Sequence, residues 1–302
     1  MKILLFGASG QVGWELRRSL TLLGHVTAAT RDSVDLEKPS QLESFARHVA
    51  PDLIVNAAAY TAVDKAEAEP EKARRVNADA PAILSRVALE RNCWLVHYST
   101  DYVFDGTKSS PYREDDETGP LGTYGATKAE GEREIRRSGC RHLIFRTSWV
   151  YGTLGANFPR TMLRLARERD SLKVVADQMG APTSAELIAD VTAMCLYMLQ
   201  KGDACVMETL SGTYHLAAAG ETTWHEYAQY VVQLAIEHGM HLKASPADVH
   251  PIATAQYPLP AARPPNSRLN CDRLGDAFGL HLPDWRVHVA RFVSEYVALE
   301  SK

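Results

Sequence analysis

The chain has 302 residues, 45 % hydrophobic and 23 % charged, which is enough for a full buried core with a polar exterior. Its 33 Lys and Arg against 37 Asp and Glu leave a net charge of −4 without a long basic block, which excludes the concentrated positive face of a nucleic-acid binder. No apolar run approaches the roughly 20 residues of a membrane span and the glycine-rich start lacks the form of a signal peptide, so a cytoplasmic protein with no membrane partner is expected.

Five short apolar runs read as strands: KILLFGA (2–8), VTAAT (26–30), LIVNAAA (53–59), WLVHYST (94–100) and HLIFRTS (142–148). Amphipathic patterns between them predict helices after Gly13 and over 39–49, 71–91 and 127–137. Strand–helix alternation with near-continuous Val, Ile and Leu strands implies an α/β fold: a doubly wound, Rossmann-type parallel sheet covered on both faces. Its site is expected at the carboxyl ends of the strands. Beyond Val150 the pattern loosens. Helices are predicted over 158–169 and 185–200, a strand over 213–220, and a further helix that Thr223 is placed to cap. The proline-rich run YPLPAARPPNSRLN (257–270) reads as an irregular loop. The expected organisation is a dinucleotide-binding domain over 1–150 and a smaller, mainly substrate-binding α/β domain over 151–302, with the strand at 213–220 returning to the first sheet as an option. Cys93, Cys140, Cys195, Cys205 and Cys271 are scattered without a CxxC and read as reduced, mostly buried thiols.

Gly7, Gly10 and Gly13 follow the first strand and precede a helix, spaced G-x-x-G-x-x-G rather than G-x-G-x-x-G. Glycines there permit a tight turn and let backbone amides approach a pyrophosphate. The helix amino terminus adds partial positive charge. The second strand ends at Thr30, Arg31 and Asp32. An acid at that place bonds a ribose 2′-hydroxyl, whereas an arginine accommodates a 2′-phosphate. Thr30 with Arg31 favours NADPH; NADH is the alternative if Asp32 serves the ribose.

Tyr124 and Lys128 stand four residues apart in TYGATKAEGE and share a helix face. An ammonium beside a phenol lowers the phenol pKa from its usual value of roughly 10. Ser99, Thr100 and Asp101 fall at a strand's carboxyl edge, where a hydroxyl can bond a substrate carbonyl. Hydride source, proton donor, cation and hydroxyl are the parts of a carbonyl reductase. Among the 11 histidines no spacing fits zinc, and WHEYA at 224–228 lacks the second histidine of H-E-x-x-H, so they are assigned to surface and core. A nucleotide-sugar diphosphate in the second half would need cations. Arg263 and Arg268, with Asn266 and Ser267 between them, are the candidates.

With these motifs the chain resembles the extended short-chain dehydrogenases/reductases and, within them, the dTDP-4-dehydrorhamnose reductases. The resemblance runs nearly end to end, through LLFGASGQVGWEL, DLIVNAAAYTAVDKAE, VHYSTDYVFDG, YGATKAEGE, HLIFRTSWVYG, NFPRTMLRLA, DQMGAPTSAELIAD, YHLAAAGETTWHEYA and RPPNSRLN. It implies that Gly10, Gln11 and Val12 contact the cofactor pyrophosphate and that Thr30 and Arg31 face the adenosine ribose. Asp35 and Leu36 would border the adenine. Ala59, Tyr60 and Thr61 would line the cofactor groove, with Tyr98 beyond. Thr100, Tyr124 and Lys128 would be the catalytic residues, and Thr100, Asp101 and Trp149 would meet the sugar. The implied reaction is reduction of the carbon-4 ketone of dTDP-4-dehydro-6-deoxy-L-mannose to dTDP-L-rhamnose. The resemblance also implies a magnesium ion joining two subunits of a homodimer through glutamates at positions matching Glu15, Glu186 and Glu295. Two rivals stay open: an epimerase or dehydratase on the same frame, and a non-enzymatic relative of methionine adenosyltransferase regulatory subunits. The latter tend to lose triad residues or the cofactor loop, and this chain keeps both.

Overall fold

A computed structural model of the chain describes residues 1–202 and 208–300. The first five strands are β1 (Lys2–Phe6), β2 (His25–Ala29), β3 (Leu53–Asn56), β4 (Trp94–Thr100) and β5 (His142–Thr147). Consecutive residues of β1, β3, β4 and β5 are buried, so side chains on both faces must be apolar, and this is why the runs do not alternate. Each strand splits its residues between two cores. Ile3, Leu5, Val55, Val96 and Phe145 join one, and Leu4, Phe6, Ile54, Leu95 and Ile144 join the other. The strands end before the apolar runs do. Gly7, Ala57 to Ala59 and Ser148 have left the ladder and form the loops at its carboxyl edge.

The crossovers are helical. α1 (Gln11–Ser19) and α2 (Pro39–Val49) follow β1 and β2. After β3 come α3 (Val63–Ala68), α4 (Pro70–Arg74) and α5 (Ala80–Glu90). A single helix is expected over 71–91, but one π turn, Arg75–Asp79, interrupts it. Pro81 explains the break: it has no N–H to give the Asn77 carbonyl, so the ladder slips there. α6 (Thr123–Ser138) begins four residues before its amphipathic pattern does. Its cap comes from afar. The Glu67 carboxylate accepts from Thr123 N at 2.8 Å and from Thr123 Oγ1 at 2.9 Å.

In the second half, β6 (Val150–Tyr151) pairs with β9 (Thr183–Ser184). β7 (Leu172–Val175) and β8 (Met179–Gly180) lie between them in sequence. α7 (Phe158–Glu168) starts at an Asn157 cap, and α8 (Ala185–Lys201) at a Ser184 cap. β10 (Gly212–His215) pairs in parallel with β5, completing a six-stranded parallel sheet of order β2-β1-β3-β4-β5-β10. α8 likewise returns to this sheet, packing against α1. β11 (Thr222–Thr223) pairs with β8, and β12 (Val249–Ile252) with β7. α9 (Trp224–Glu237) opens on a capping box between Thr223 and Glu226, and α10 (Asp272–Phe278) and α11 (Trp285–Glu300) close the chain. Among the described residues no helix is long and apolar enough to cross a membrane. Cys93, Cys140 and Cys195 are free and buried, Cys271 is free and partly so, and Cys205 lies outside the described residues.

The chain order reverses around β1, so the switch point lies between the carboxyl ends of β1 and β3. α6 is drawn tightly against the π turn: a Cβ on Gly131 would sit 2.1 Å from the Asn77 carbonyl oxygen there. Backbone cannot yield there, so Gly131→Ala should destabilise the fold by roughly 1–3 kcal/mol in denaturant unfolding. Gly119→Ala, whose Cβ would meet only an ordinary 3.7 Å contact, should change far less. Equal effects would show that the close approach is not what holds α6.

Candidate active site

The turn after β1 is built for a ligand with no side chain between. Gly7 has φ +75, and a Cβ on it would lie 2.5 Å from Ala58 N. One on Gly13 would lie 2.0 Å from the Gly7 carbonyl oxygen. Gly10 N donates to that same oxygen at 2.9 Å and caps α1 with no side chain. A Cβ on Gly10 meets nothing nearer than 3.4 Å, so this glycine keeps the space in front of the helix open. Gln11 and Val12 supply the first amides of α1, and the Gln11 side chain accepts from Asn157 at 3.3 Å. This bare helix start fits a pyrophosphate.

At the end of β2, Thr30 and Arg31 are exposed, and among the described residues Arg31 has no hydrogen-bond or ion-pair partner. Asp35 accepts from Glu37 N at 2.9 Å, and Leu36 packs on the core beside it. After β3 come Ala59, Tyr60 and Thr61. Asn77, buried in the π turn, grips Tyr60 at both backbone groups, 2.9 Å to its N and 3.1 Å to its O. Its amide also donates to Thr127 on α6 at 3.2 Å. Neither Asn77 nor Glu67 stands out in the sequence; both act over long separations.

Thr100 ends β4. Its hydroxyl donates to Asp101 Oδ1 at 3.0 Å and accepts from Tyr102 N at 3.2 Å. The Tyr124 ring stands edge-on to Tyr102, with centroids 5.6 Å apart. Burial of its hydroxyl end pushes Tyr124 up to about 12, with Thr100 pulling it back and Asp101 pushing it further. Lys128 is fully buried one turn on. Its Nζ donates to the Tyr98 carbonyl at 2.5 Å and meets His97 Nε2 at 3.1 Å. Burial pushes Lys128 down to about 8, with Glu132 pulling it back.

Tyr124 and Lys128 share one helix, as expected, but Lys128 is not among the groups that shift Tyr124. A buried amino group needs hydrogen-bond partners, and Lys128 finds them on β4, at the Tyr98 carbonyl and the His97 ring, rather than at the phenol. Tyr98 accordingly contributes its carbonyl. Its ring lies on the opposite face of the sheet, its hydroxyl 2.9 Å from Thr192 of α8.

Asp101 is 3 % exposed and its Oδ2 is buried without a well-formed hydrogen bond. Burial pushes it up to about 6, only partly offset by the Ser267 and Thr100 hydroxyls. Behind it, Glu132 takes two bonds from Arg146, 2.9 and 2.7 Å. Trp149 has φ +49 and stacks on Trp224 at 3.6 Å. A Cβ on Gly180 would lie 2.5 Å from its indole, so the ring packs directly on the Gly180 backbone.

The candidates Arg263 and Arg268, and Asn266 between them, each bond within the protein. Arg263 bonds Asp64 at 2.8 Å and the Ala261 carbonyl at 2.9 Å. Arg268 bonds Asn266, Glu221 at 2.9 Å and the Ser109 carbonyl. Asn266 donates to the carbonyls of Lys108 and Ser110 at 2.7 and 2.9 Å. They stitch the 257–270 loop to α3 and to the segment after β4.

The three glutamates are also paired. Glu15 meets Arg18 at 3.4 Å, Glu186 meets Arg291 at 3.5 Å, and Glu295 meets the same Arg291 at 2.9 Å. Among the described residues no group of three His, Cys, Asp or Glu is placed to hold a metal ion, so one chain does not assemble the expected magnesium ligands.

Asp101 carries a stability signature. Its folded-state value lies above the ordinary carboxyl value, so the native state binds the proton more tightly than the unfolded chain. Stability attributable to it therefore falls as pH rises from about 4 to about 6 and stays lowered above. Two units correspond to about 3 kcal/mol at most. Asp101→Asn should thus raise unfolding free energy at pH 8 by about 1–3 kcal/mol and leave it unchanged near pH 4. A gain that is the same at both pH values would contradict a buried, strained carboxylate.

A family profile described as the RmlD substrate binding domain matches residues 1–298. The chain is 48 % identical over 300 residues to the dTDP-4-dehydrorhamnose reductase of Escherichia coli (strain K12), covering 98 % of each chain. It is 48 % identical over 300 residues to that of Burkholderia thailandensis, covering 99 % of this chain and 100 % of the relative. Its fold matches the crystal structure of a dTDP-4-dehydrorhamnose reductase from Clostridium acetobutylicum with a TM-score of 0.87 at 32 % identity over the whole of both chains. It matches the Bacillus anthracis reductase, solved in complex with NADP, with a TM-score of 0.86 at 31 % identity over 97 % of this chain and 99 % of that one. With the glycine turn, Thr100, Tyr124 and Lys128 gathered at one sheet edge, the chain belongs to the family of dTDP-4-dehydrorhamnose reductases.

Proposed function

We propose that the protein reduces the carbon-4 ketone of dTDP-4-dehydro-6-deoxy-L-mannose to dTDP-L-rhamnose with NADPH, NADH being the second donor. The observation that carries this reading is the convergence of Thr100, Asp101, Tyr124 and Lys128 on the carboxyl edge of β4, in a chain whose near relatives bear the reductase name. The nicotinamide cofactor, when bound, supplies the hydride.

The chain's own residues supply the rest. The Gly7–Gly13 turn and the first amides of α1 hold the pyrophosphate, and Ala59 to Thr61 wall the groove. Arg31 takes the 2′-phosphate; its lack of a protein partner and the NADP bound by the Bacillus anthracis relative support this. Tyr124 hands its proton to the ketone oxygen as it becomes an alkoxide, general-acid help typically worth 10² to 10⁴ in rate. A phenol near 12 is fully protonated at neutral pH, as a donor must be. Thr100 holds the same oxygen, stabilising charge where it develops. Lys128 is the cation that makes the phenol acidic once its charge is felt there. Asp101, with an unsatisfied oxygen, and Trp149, fixed at the rim, face the sugar.

Much of 151–302 then forms the nucleotide-sugar side, although α8 and β10 serve the sheet. A homodimer is the proposed assembly, supported by exposed Trp14, Met194, Tyr197 and Met198 on the packed α1–α8 pair.

Tyr124→Phe should lower kcat at least about 100-fold while cofactor affinity stays within a few-fold. A near wild-type kcat would remove Tyr124 as the acid. Arg31→Ala should weaken NADPH about tenfold or more, as loss of hydrogen bonds to a charged group does, and leave NADH unchanged. Equal losses for both cofactors would remove the 2′-phosphate contact.

A further inference from the structure

Beneath Lys128 a line of polar groups crosses from β4 to β3 and ends in the wall of the dinucleotide turn. Asn56 and His97 are direct cross-strand neighbours in the β3–β4 register. The Ala58 amide donates to Asn56 Oδ1 at 3.2 Å. Asn56 Nδ2 lies 3.2 Å from His97 Nδ1, and His97 Nε2 lies 3.1 Å from Lys128 Nζ. All three side chains are buried. Ala58 N itself lies against Gly7, where a Cβ would come within 2.5 Å of it. Neither Asn56 nor His97 takes part in the proton or hydride steps.

The donors fix the polarity of this line. A backbone N–H can only donate, so Asn56 turns its oxygen to Ala58 and its NH₂ to the imidazole. His97 Nδ1 therefore accepts. Burial is the largest of the causes that hold His97 well below its ordinary value, so the ring is neutral whether Lys128 is an amine or an ammonium. A neutral imidazole that accepts at Nδ1 carries its proton on Nε2. That N–H points at Lys128. An ammonium has donors only, whereas an amine offers a lone pair. The line as seen is therefore complete only with Lys128 as an amine. A charged Lys128 needs every bond reversed: Nε2 accepts, Nδ1–H donates to Asn56 Oδ1, and the flipped Asn56 NH₂ meets the Ala58 N–H head-on.

We propose that Asn56 and His97 are positioning residues that couple the protonation of Lys128 to the Ala58 amide: the line in one direction holds an amine, and in the other an ammonium. This rests on the reading of Lys128 as the cation that acidifies Tyr124. Other charges face Lys128 as well. On α6 these are Tyr124 and Glu132, and Glu132 favours the charged form. From β5, Arg146, together with Arg136 on α6, neutralises Glu132, and His142 stands beyond His97. Asp101 lies at the end of β4. The Arg74–Glu130 pair lies on the outer, solvent side of α6. None of these is altered by changing Asn56 or His97.

The amine form leaves Tyr124 without its cation, so the line sets the alkaline limit of turnover. His97→Gln offers Lys128 an amide oxygen free of the tautomer constraint. Asn56→Asp offers His97 Nδ1–H an acceptor whichever way the group turns. Both should move the alkaline limb of kcat/KM to higher pH by about one unit, a tenfold change in proton affinity. A limb that stays put in both variants overturns the proposal.

The second readout needs no turnover. In the full-length protein with 15N-labelled histidine, the His97 signal is assigned by its loss in His97→Gln or its shift in Asn56→Asp. It should show the Nδ1–H tautomer below the Lys128 titration near 8 and the Nε2–H tautomer above it. A single tautomer throughout overturns the coupling even if the enzyme turns over the ketosugar. A tautomer switch at that pH sustains it even if the ketosugar is not the substrate.

Discussion

The buried amino group of Lys128 is the constraint around which the site is arranged. An unpaired ammonium inside a protein is penalised by several kcal/mol. Lys128 can sit there only because the Tyr98 carbonyl accepts from it and Glu132 stands one turn along the same helix. Glu132 is itself buried and needs Arg146 and Arg136 to hold its charge. The requirement thus passes from α6 to β4 and β5, and these three elements are locked by charge as well as by packing. The same helix that carries Lys128 to the strand carbonyl is seated closely on the π turn at Gly131.

The same edge of β4 leaves Asp101 poorly satisfied. Its Oδ2 is buried without a well-formed bond, and its carboxyl is held towards the neutral form. A buried polar atom left incomplete lowers folding stability, and such local violations are expected at functional sites. Tyr124 shows the matching tension. Burial raises its hydroxyl to about 12, so it keeps its proton at neutral pH.

The sheet was legible because continuous apolar runs have few other uses in a chain of this size, and the glycine turn because no other residue fits Gly7 and Gly13. Strand ends were not, since apolar residues such as Ala57 to Ala59 continue into the site loops. The start of α6 was hidden because its cap, Glu67, lies far away in sequence. The helix-face pairing of Tyr124 and Lys128 follows from spacing alone. Where the Lys128 amine goes does not, because the answer is a carbonyl on another element. His97 passed as a core histidine for the same reason: its meaning needs the β3–β4 register that sets it beside Asn56. Arg263 and Arg268 read as anion ligands by charge; their pairing with Asp64 and Glu221 needs the fold, because both acids lie far away in sequence.

The most direct test is the titration of Lys128 itself, followed by NMR on the cofactor-free protein with labelled lysine side chains and assigned with Lys128→Met. The account predicts a midpoint near 8, held down by burial. A midpoint at the ordinary lysine value of about 10.4 would mean that the amine is solvated, and would contradict it.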